Sequence, residues 1–115
     1  MVVRTWREDP CIVLRAVGDL DVSGAPRLRV EIDQALAPAS APPLLVLDLT
    51  EVPFCDSVGL GLLVATLNRV RQVRGRMVLV LADGMIRHLL TITNLDRHFT
   101  TRGSLDEARE TLEAA

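Results

Sequence analysis

Leu44 to Leu49 is an almost unbroken apolar run, and beyond a short polar stretch Leu60, Leu63, Val64, Leu67 and Val70 recur at helical spacing. A run of that length suits a strand buried on both faces and placed centrally in a sheet. The helical period predicts an amphipathic helix that reaches about Arg74 and is stopped by Gly75. Such a strand needs cover on both sides, so the rest of the chain must supply helices around it.

The remaining segments fit that demand. Residues 2 to 7 and 11 to 17 are β-type runs around a turn at Glu8, Asp9 and Pro10, which reads as an antiparallel hairpin. Ser23 can cap a helix with Pro26 in its first turn and Ala25, Leu28, Ile32, Ala35 and Leu36 on its inner face. Pro38 to Pro43 reads as a loop. Met77 to Leu81 is a second buried strand, and Asp83 can cap a helix to about Ile92 with Met85, Ile86, Leu89 and Leu90 inward. A short extended piece spans about His98 to Thr101. Ser104 and Glu107 then stand at capping-box spacing before a last helix with the stripe Leu105, Ala108, Leu112 and Ala115. The order β-β-α-β-α-β-α-β-α predicts an α/β domain over residues 1–115, with a mixed, mostly parallel sheet of about five strands and about four helices.

With 115 residues the chain is one domain long. Folding should reduce roughly 18,000 Å² of extended-chain surface to about 6,000 Å², enough for a core without disulfides or metal. A net charge of −2 supplies no broad basic field for nucleic acid or an anionic membrane. No apolar stretch approaches a membrane span and the N-terminus lacks a signal-peptide layout, so the chain reads as cytoplasmic. All 13 basic residues are Arg, and Tyr is absent as well. Catalysis through a Lys or Tyr is thereby removed, P-loop and Schiff-base chemistry included. The all-Arg usage is itself what a GC-rich genome would give, and it says little about phosphate chemistry.

The densest information lies in Leu47-Asp48-Leu49-Thr50-Glu51-Val52-Pro53-Phe54-Cys55-Asp56-Ser57-Val58-Gly59-Leu60-Gly61. A buried strand ends, the chain turns, and a carboxylate and a hydroxyl stand where a helix begins. Unsatisfied N–H groups and the helix dipole make that position favourable for a carboxylate or a phosphate. By position alone either Asp56 or Ser57 is the cap. Gly59 and Gly61 each cost the helix about 1 kcal/mol relative to Ala. Close approach of another chain's backbone to a flat helix face would account for both.

This window resembles the signature of STAS domains, and specifically of bacterial anti-sigma factor antagonists, through Asp48, Leu49, Val52, Phe54, Asp56, Ser57, Gly59, Leu60 and Gly61. A second family segment is similar to Gly18-Asp19-Leu20-Asp21, followed by Ala25-Pro26 and Leu28. Three positions depart from the pattern: Val58 stands where a second hydroxyl is common, Thr50 where Ser is common, and Asp19 where Glu is usual. The resemblance implies that Ser57 is the residue phosphorylated by an anti-sigma factor that is also a serine kinase. It further implies a partner-binding face of Asp21, Asp56, Ser57, Val58, Gly59, Leu60 and Gly61, with a serine phosphatase as a further partner. Direct nucleic-acid or membrane contact, a cofactor and a catalytic site are not expected. The alternative is a STAS module docked in a lipid-transport complex or a stressosome-like scaffold.

Other residues carry weaker signals. Cys11 and Cys55 form no metal or disulfide framework, and each reads as a small buried residue. Cys55 beside a helix N-terminus could instead have a lowered pKa and sense redox state. His88 and His98 have no ligand at metal-binding spacing. Arg69, Arg71, Arg74 and Arg76 read as a solvated face near a helix C-terminus, with an acidic partner surface as the alternative. Ser57 lacks the upstream glycine of a nucleophile elbow, because Cys55 occupies that position. Gly59-Leu60-Gly61 lacks the third glycine of a dinucleotide site.

Overall fold

A computed structural model describes residues 1–37 and 41–114. Its elements run β1 (Val2–Glu8), β2 (Cys11–Val17), α1 (Ala25–Ala35), β3 (Leu44–Glu51), α2 (Ser57–Gln72), β4 (Arg76–Val80), α3 (Met85–Ile92), a 3-10 turn (Leu95–Arg97), β5 (Thr100–Arg102) and α4 (Leu105–Glu113). The strands form one sheet in the order β1-β2-β3-β4-β5. The β1–β2 pair is antiparallel and the other three pairs are parallel, as the sequence predicts. β3 is the central strand. The exposed surface, 6356 Å², matches the value expected for a chain this long.

The period of two explains why β3 is apolar along its length. Leu45, Leu47 and Leu49 join Leu14, Ala16, Met77 and Leu79 in the cluster that also holds Leu28 and Ile32 of α1, Leu63 and Val70 of α2, and Ile86 and Leu90 of α3. Val46 faces the other way and packs with Val13, Val78 and Val80 against Ala108 and Leu112 of α4. Each such Leu, fully withdrawn from water, contributes on the order of 1.5–3 kcal/mol.

Asp48 is the buried exception in β3. Its Oδ2 accepts from Arg15 Nε at 2.9 Å, and its Oδ1 accepts from Thr50 N at 3.1 Å and Thr50 Oγ1 at 2.7 Å. The Arg15 guanidinium in turn lies 5.2 Å from the Trp6 ring centroid. Thr50 therefore keeps the hydroxyl that Ser would have supplied.

Several sequence expectations are corrected. Ser23 does not cap α1; Gly24 holds that position, and Asp21 Oδ1 accepts from Ser23 N and Gly24 N one residue further out. Asp83 does not cap α3, since the N-cap position belongs to Gly84 and no side chain bonds there. Met85 is not buried but exposed. Gly75 does not end α2 by its own flexibility. Arg74 takes the left-handed conformation at φ 60°, and Gly75 is required because a Cβ there would come within 2.6 Å of the Pro43 carbonyl oxygen. β4, expected over Met77 to Leu81, begins and ends one residue earlier, and the last strand starts at Thr100, with His98 left in a turn. Ser104 does cap α4, accepting from Glu107 N at 3.2 Å. Residues 38–40 of the expected loop and Ala115 of the last stripe lie outside the described residues.

Candidate functional site

Beyond the ends of β2 and β3 the two chains keep running side by side. Gly18 N donates to Glu51 O, Leu20 N to Phe54 O, and Asp56 N to Leu20 O, with an isolated parallel bridge between Leu20 and Cys55. Leu20 is fully buried and anchors this extension. The Gly18–Gly24 loop is thus held against the start of α2, although it is far from it in sequence.

Asp56 joins the two segments. It is the N-cap of α2, with Oδ1 accepting from Gly59 N at 2.9 Å and Oδ2 accepting from Val22 N at 3.1 Å. Of the two candidate caps, then, the carboxylate takes the role and Ser57 becomes the first helical residue. Ser57 is exposed, and its hydroxyl has no hydrogen-bond partner among the described residues. The backbone N–H groups of Ser57 and Val58 also find no acceptor among them. A helix start of this kind offers donors and a positive dipole end to an anion on the Ser57 side chain.

The two glycines of Gly59-Leu60-Gly61 have different reasons. Gly59 is buried, and a Cβ on it would come within 2.1 Å of Leu20 O, 2.8 Å of Leu20 Cγ and 2.9 Å of Cys55 Sγ. The close approach expected from another chain is, at Gly59, an approach within this one. Gly61 is exposed, and its Cβ would meet nothing within 4 Å. Leu60 lies half-buried against the core between them. Asp21 sits in the adjoining loop with its carboxylate turned onto Ser23 and Gly24, a local turn-forming role.

Apolar side chains surround the turn. Val22 (67% exposed), Phe54 (40%), Val58 (47%) and Met85 (38%) lie outside the core on segments that meet there; Cys55 N donates to Met85 Sδ at 3.3 Å, which ties in the start of α3. Sequence reasoning missed Val22, Phe54 and Met85, because an apolar residue next to a predicted strand or helix reads as core until the packing is known. Beside them, a cleft of about 320 Å³ opens between the β3–α2 and β4–α3 loops, lined by Leu49, Thr50, Val52, Pro53 and Met85 among others.

Of the two readings of Cys55, the structure bears out the small buried residue and speaks against the redox sensor. Its thiol is buried, and burial first, with the Asp56 charge second, pushes its pKa up to about 11. Thiolate chemistry near neutral pH is suppressed at such a site. Because the folded-state value is raised, Cys55 favours the fold fully below the ordinary thiol pKa, and that contribution is lost as pH climbs towards about 11. Burial raises Cys11 in the same sense. A thiol reagent at pH 8 is therefore expected to label the native protein far more slowly than the urea-unfolded chain. Urea stability measured from pH 8 to 11 should fall less steeply in Cys55→Ala than in the wild type. Among the described residues, no group of three or more His, Cys, Asp or Glu could hold a metal ion, and no helix is long and apolar enough to cross a membrane.

These features define a small α/β domain that presents one helix N-terminus, with a free hydroxyl, inside an apolar rim. The family model for the STAS domain matches residues 3–108, and the chain belongs to that family. An anti-sigma factor antagonist from Mycobacterium paratuberculosis is 31% identical, with a TM-score of 0.86 over 96% of this chain and 92% of that one. An anti-sigma-factor antagonist (STAS) domain protein from Planctomyces limnophilus superposes with a TM-score of 0.84 at 18% identity, covering 97% of this chain and 98% of its own. The Bacillus cell fate determinant SpoIIAA in its phosphorylated form gives 0.75 at 19% identity, over 97% of this chain and 100% of its own.

Proposed function

We propose that this chain is an anti-sigma factor antagonist: it binds an anti-sigma factor that is also a serine kinase, frees a sigma factor from it, and is switched off by phosphorylation of Ser57. The observation that carries the reading is the exposed Ser57 at the first turn of α2, capped by Asp56 and framed by exposed Val22, Phe54 and Val58. Relatives of the same fold that are themselves anti-sigma factor antagonists, one of them a phosphorylated form, support it.

The physics of the switch follows from the site. Unmodified, the turn is a neutral hydroxyl in an apolar rim, and a partner can close over it. Phosphate brings about −1.5 to −2 charges at pH 7 next to the Asp56 carboxylate. Within the free domain the unspent N–H groups of Ser57 and Val58 and the helix dipole offset this by at most about 2 kcal/mol. Enclosing the same dianion in a dry interface costs several kcal/mol more, so the partner is released. Asp21 and Asp56 shape the turn, Gly59 lets the α2 start sit down on Leu20, and Gly61 leaves the outer helix surface flat.

Incubating the protein with ATP and the candidate kinase from the same genome should add a single phosphate, seen by intact mass and localised to Ser57. Ser57→Ala should remove the addition; a phosphate that persists in Ser57→Ala would refute the site.

A further inference from the structure

The two faces of the sheet are not covered alike. α1, α2 and α3 pack into the larger cluster on one face, while on the other α4 lies along β3, β4 and β5. α4 reaches the β1–β2 hairpin only towards its turn, where Arg109 pairs with Glu8 and where Cys11 and Val13 join the α4 cluster. Sheets of mostly parallel strands are ordinarily clothed by helices on both faces. Among the described residues, no helix lies over the open half of this hairpin on the α4 side.

The register says what that bare half presents. Val13 faces α4, and Val2 pairs with Val17, Arg4 with Arg15 and Trp6 with Val13, so Val2, Arg4, Trp6, Arg15 and Val17 share the α4 side. Val2, Val17 and Arg4 are exposed there. Arginines directly opposite one another on neighbouring strands repel. Asp48 balances Arg15, which also lies over the Trp6 ring, whereas Arg4 has no carboxylate at ion-pair distance among the described residues. The bare half is therefore a cationic trough with an apolar margin.

The helix beside it carries the opposite sign. With Ala108 and Leu112 turned onto the sheet, the helical period places Asp106, Glu110 and Glu113 on one outward stripe of α4, and all three are exposed. None of them is ion-paired among the described residues. One face thus holds an acidic ridge next to a basic trough. A two-fold rotation lays the ridge of each copy into the trough of the other, which is the self-complementarity that an isologous dimer requires.

We infer that two copies of this chain associate through this face, α4 of each covering the open β1–β2 half of the other, with Glu110 set against Arg4 and the contact made twice. A foreign acidic helix would fill the trough and leave the ridge unmatched; a second copy satisfies both. The surface shares no residue with the Ser57 turn and stands or falls apart from it.

The test is sedimentation equilibrium of the intact protein. A weak dimer is expected, with a Kd of about 0.1 mM at about 20 mM salt and about tenfold or more weaker at about 500 mM, because charge carries the contact. Arg4→Glu sets acid against acid and Glu110→Arg base against base, so each variant alone should dimerise about tenfold or more weakly. Mixed in equal amounts, the two variants should associate about as tightly as the wild type, since both contacts then join opposite charges. Unchanged urea midpoints would show that both variants are folded. A wild-type protein that stays monomeric up to about 1 mM, variants that dimerise as tightly as the wild type, or a mixture no tighter than either variant alone would each overturn the assignment.

Discussion

Gly59→Ala is expected to destabilise the protein by about 3 kcal/mol or more, a large share of the 5–15 kcal/mol typical of a domain. The added methyl would lie 2.1 Å from a backbone carbonyl oxygen, that of Leu20, which no side-chain rotation can relieve. Moving Leu20 O away also loosens its bond from Asp56 N, and with it the pairing that holds the Gly18–Gly24 loop to α2. Gly61→Ala is the internal control. Nothing lies within 4 Å of its Cβ position, so the substitution should leave stability unchanged or raise it by up to about 1 kcal/mol through helix propensity. Urea denaturation midpoints of the two variants decide the matter. A Gly59→Ala protein as stable as Gly61→Ala would show that Leu20 does not pack as described.

The second large effect concerns binding. Ser57→Asp places a charge where a partner must close over an apolar rim, and should weaken the complex with the anti-sigma factor by about 100-fold or more. Ser57→Ala should retain affinity within a few-fold, because the hydroxyl has no partner to lose among the described residues. Val58→Asp, at a residue of the same rim that is 47% exposed, should weaken binding without touching Ser57. Calorimetric titration of the three variants checks this, and equal affinities for all would place the interface elsewhere on the domain.

Much of the architecture was legible because the relevant signals are local. A strand buried on both faces cannot hide its composition, so Leu44–Leu49 marked the centre of the sheet. The spacing of Leu63, Leu67 and Val70 marked the buried stripe of α2, and Ser104 marked a cap that forms. Less local features were not legible. Ser23, Asp83 and Gly75 each carry the right chemistry for the role expected of them. The roles went to neighbours, because Asp21 reaches the α1 start first, Gly84 occupies the α3 cap, and Pro43 crowds Gly75.

At the site, the motif located Asp56 and Ser57 but left open which of them caps the helix. The bond from Gly59 N decides for Asp56, and the bonds that Asp56 makes across the fold, from Val22 N and to Leu20 O, show it as the joint between two loops. The purpose of Gly59 was hidden for the same reason, since its neighbour Leu20 arrives from a distant segment. The basic cluster is the exposed face near a helix C-terminus that its position suggested: Arg69 and Arg71 stand in the last turn of α2, where Arg69 pairs with Asp33 and Arg71 holds the His98 carbonyl, and Arg76 holds the end of α4. Position beside a helix N-terminus suggested a lowered thiol pKa for Cys55, but burial first and the Asp56 charge second drive it the other way.

In the proposed switch, one phosphate on Ser57 decides whether the partner is held. The most direct measurement is a displacement assay in which a fluorescent sigma factor, bound to the anti-sigma factor, is challenged with this protein before and after phosphorylation. The unmodified protein is expected to release the sigma factor, and the singly phosphorylated form is expected not to, as the proposed switch requires. Equal release by both forms would contradict it.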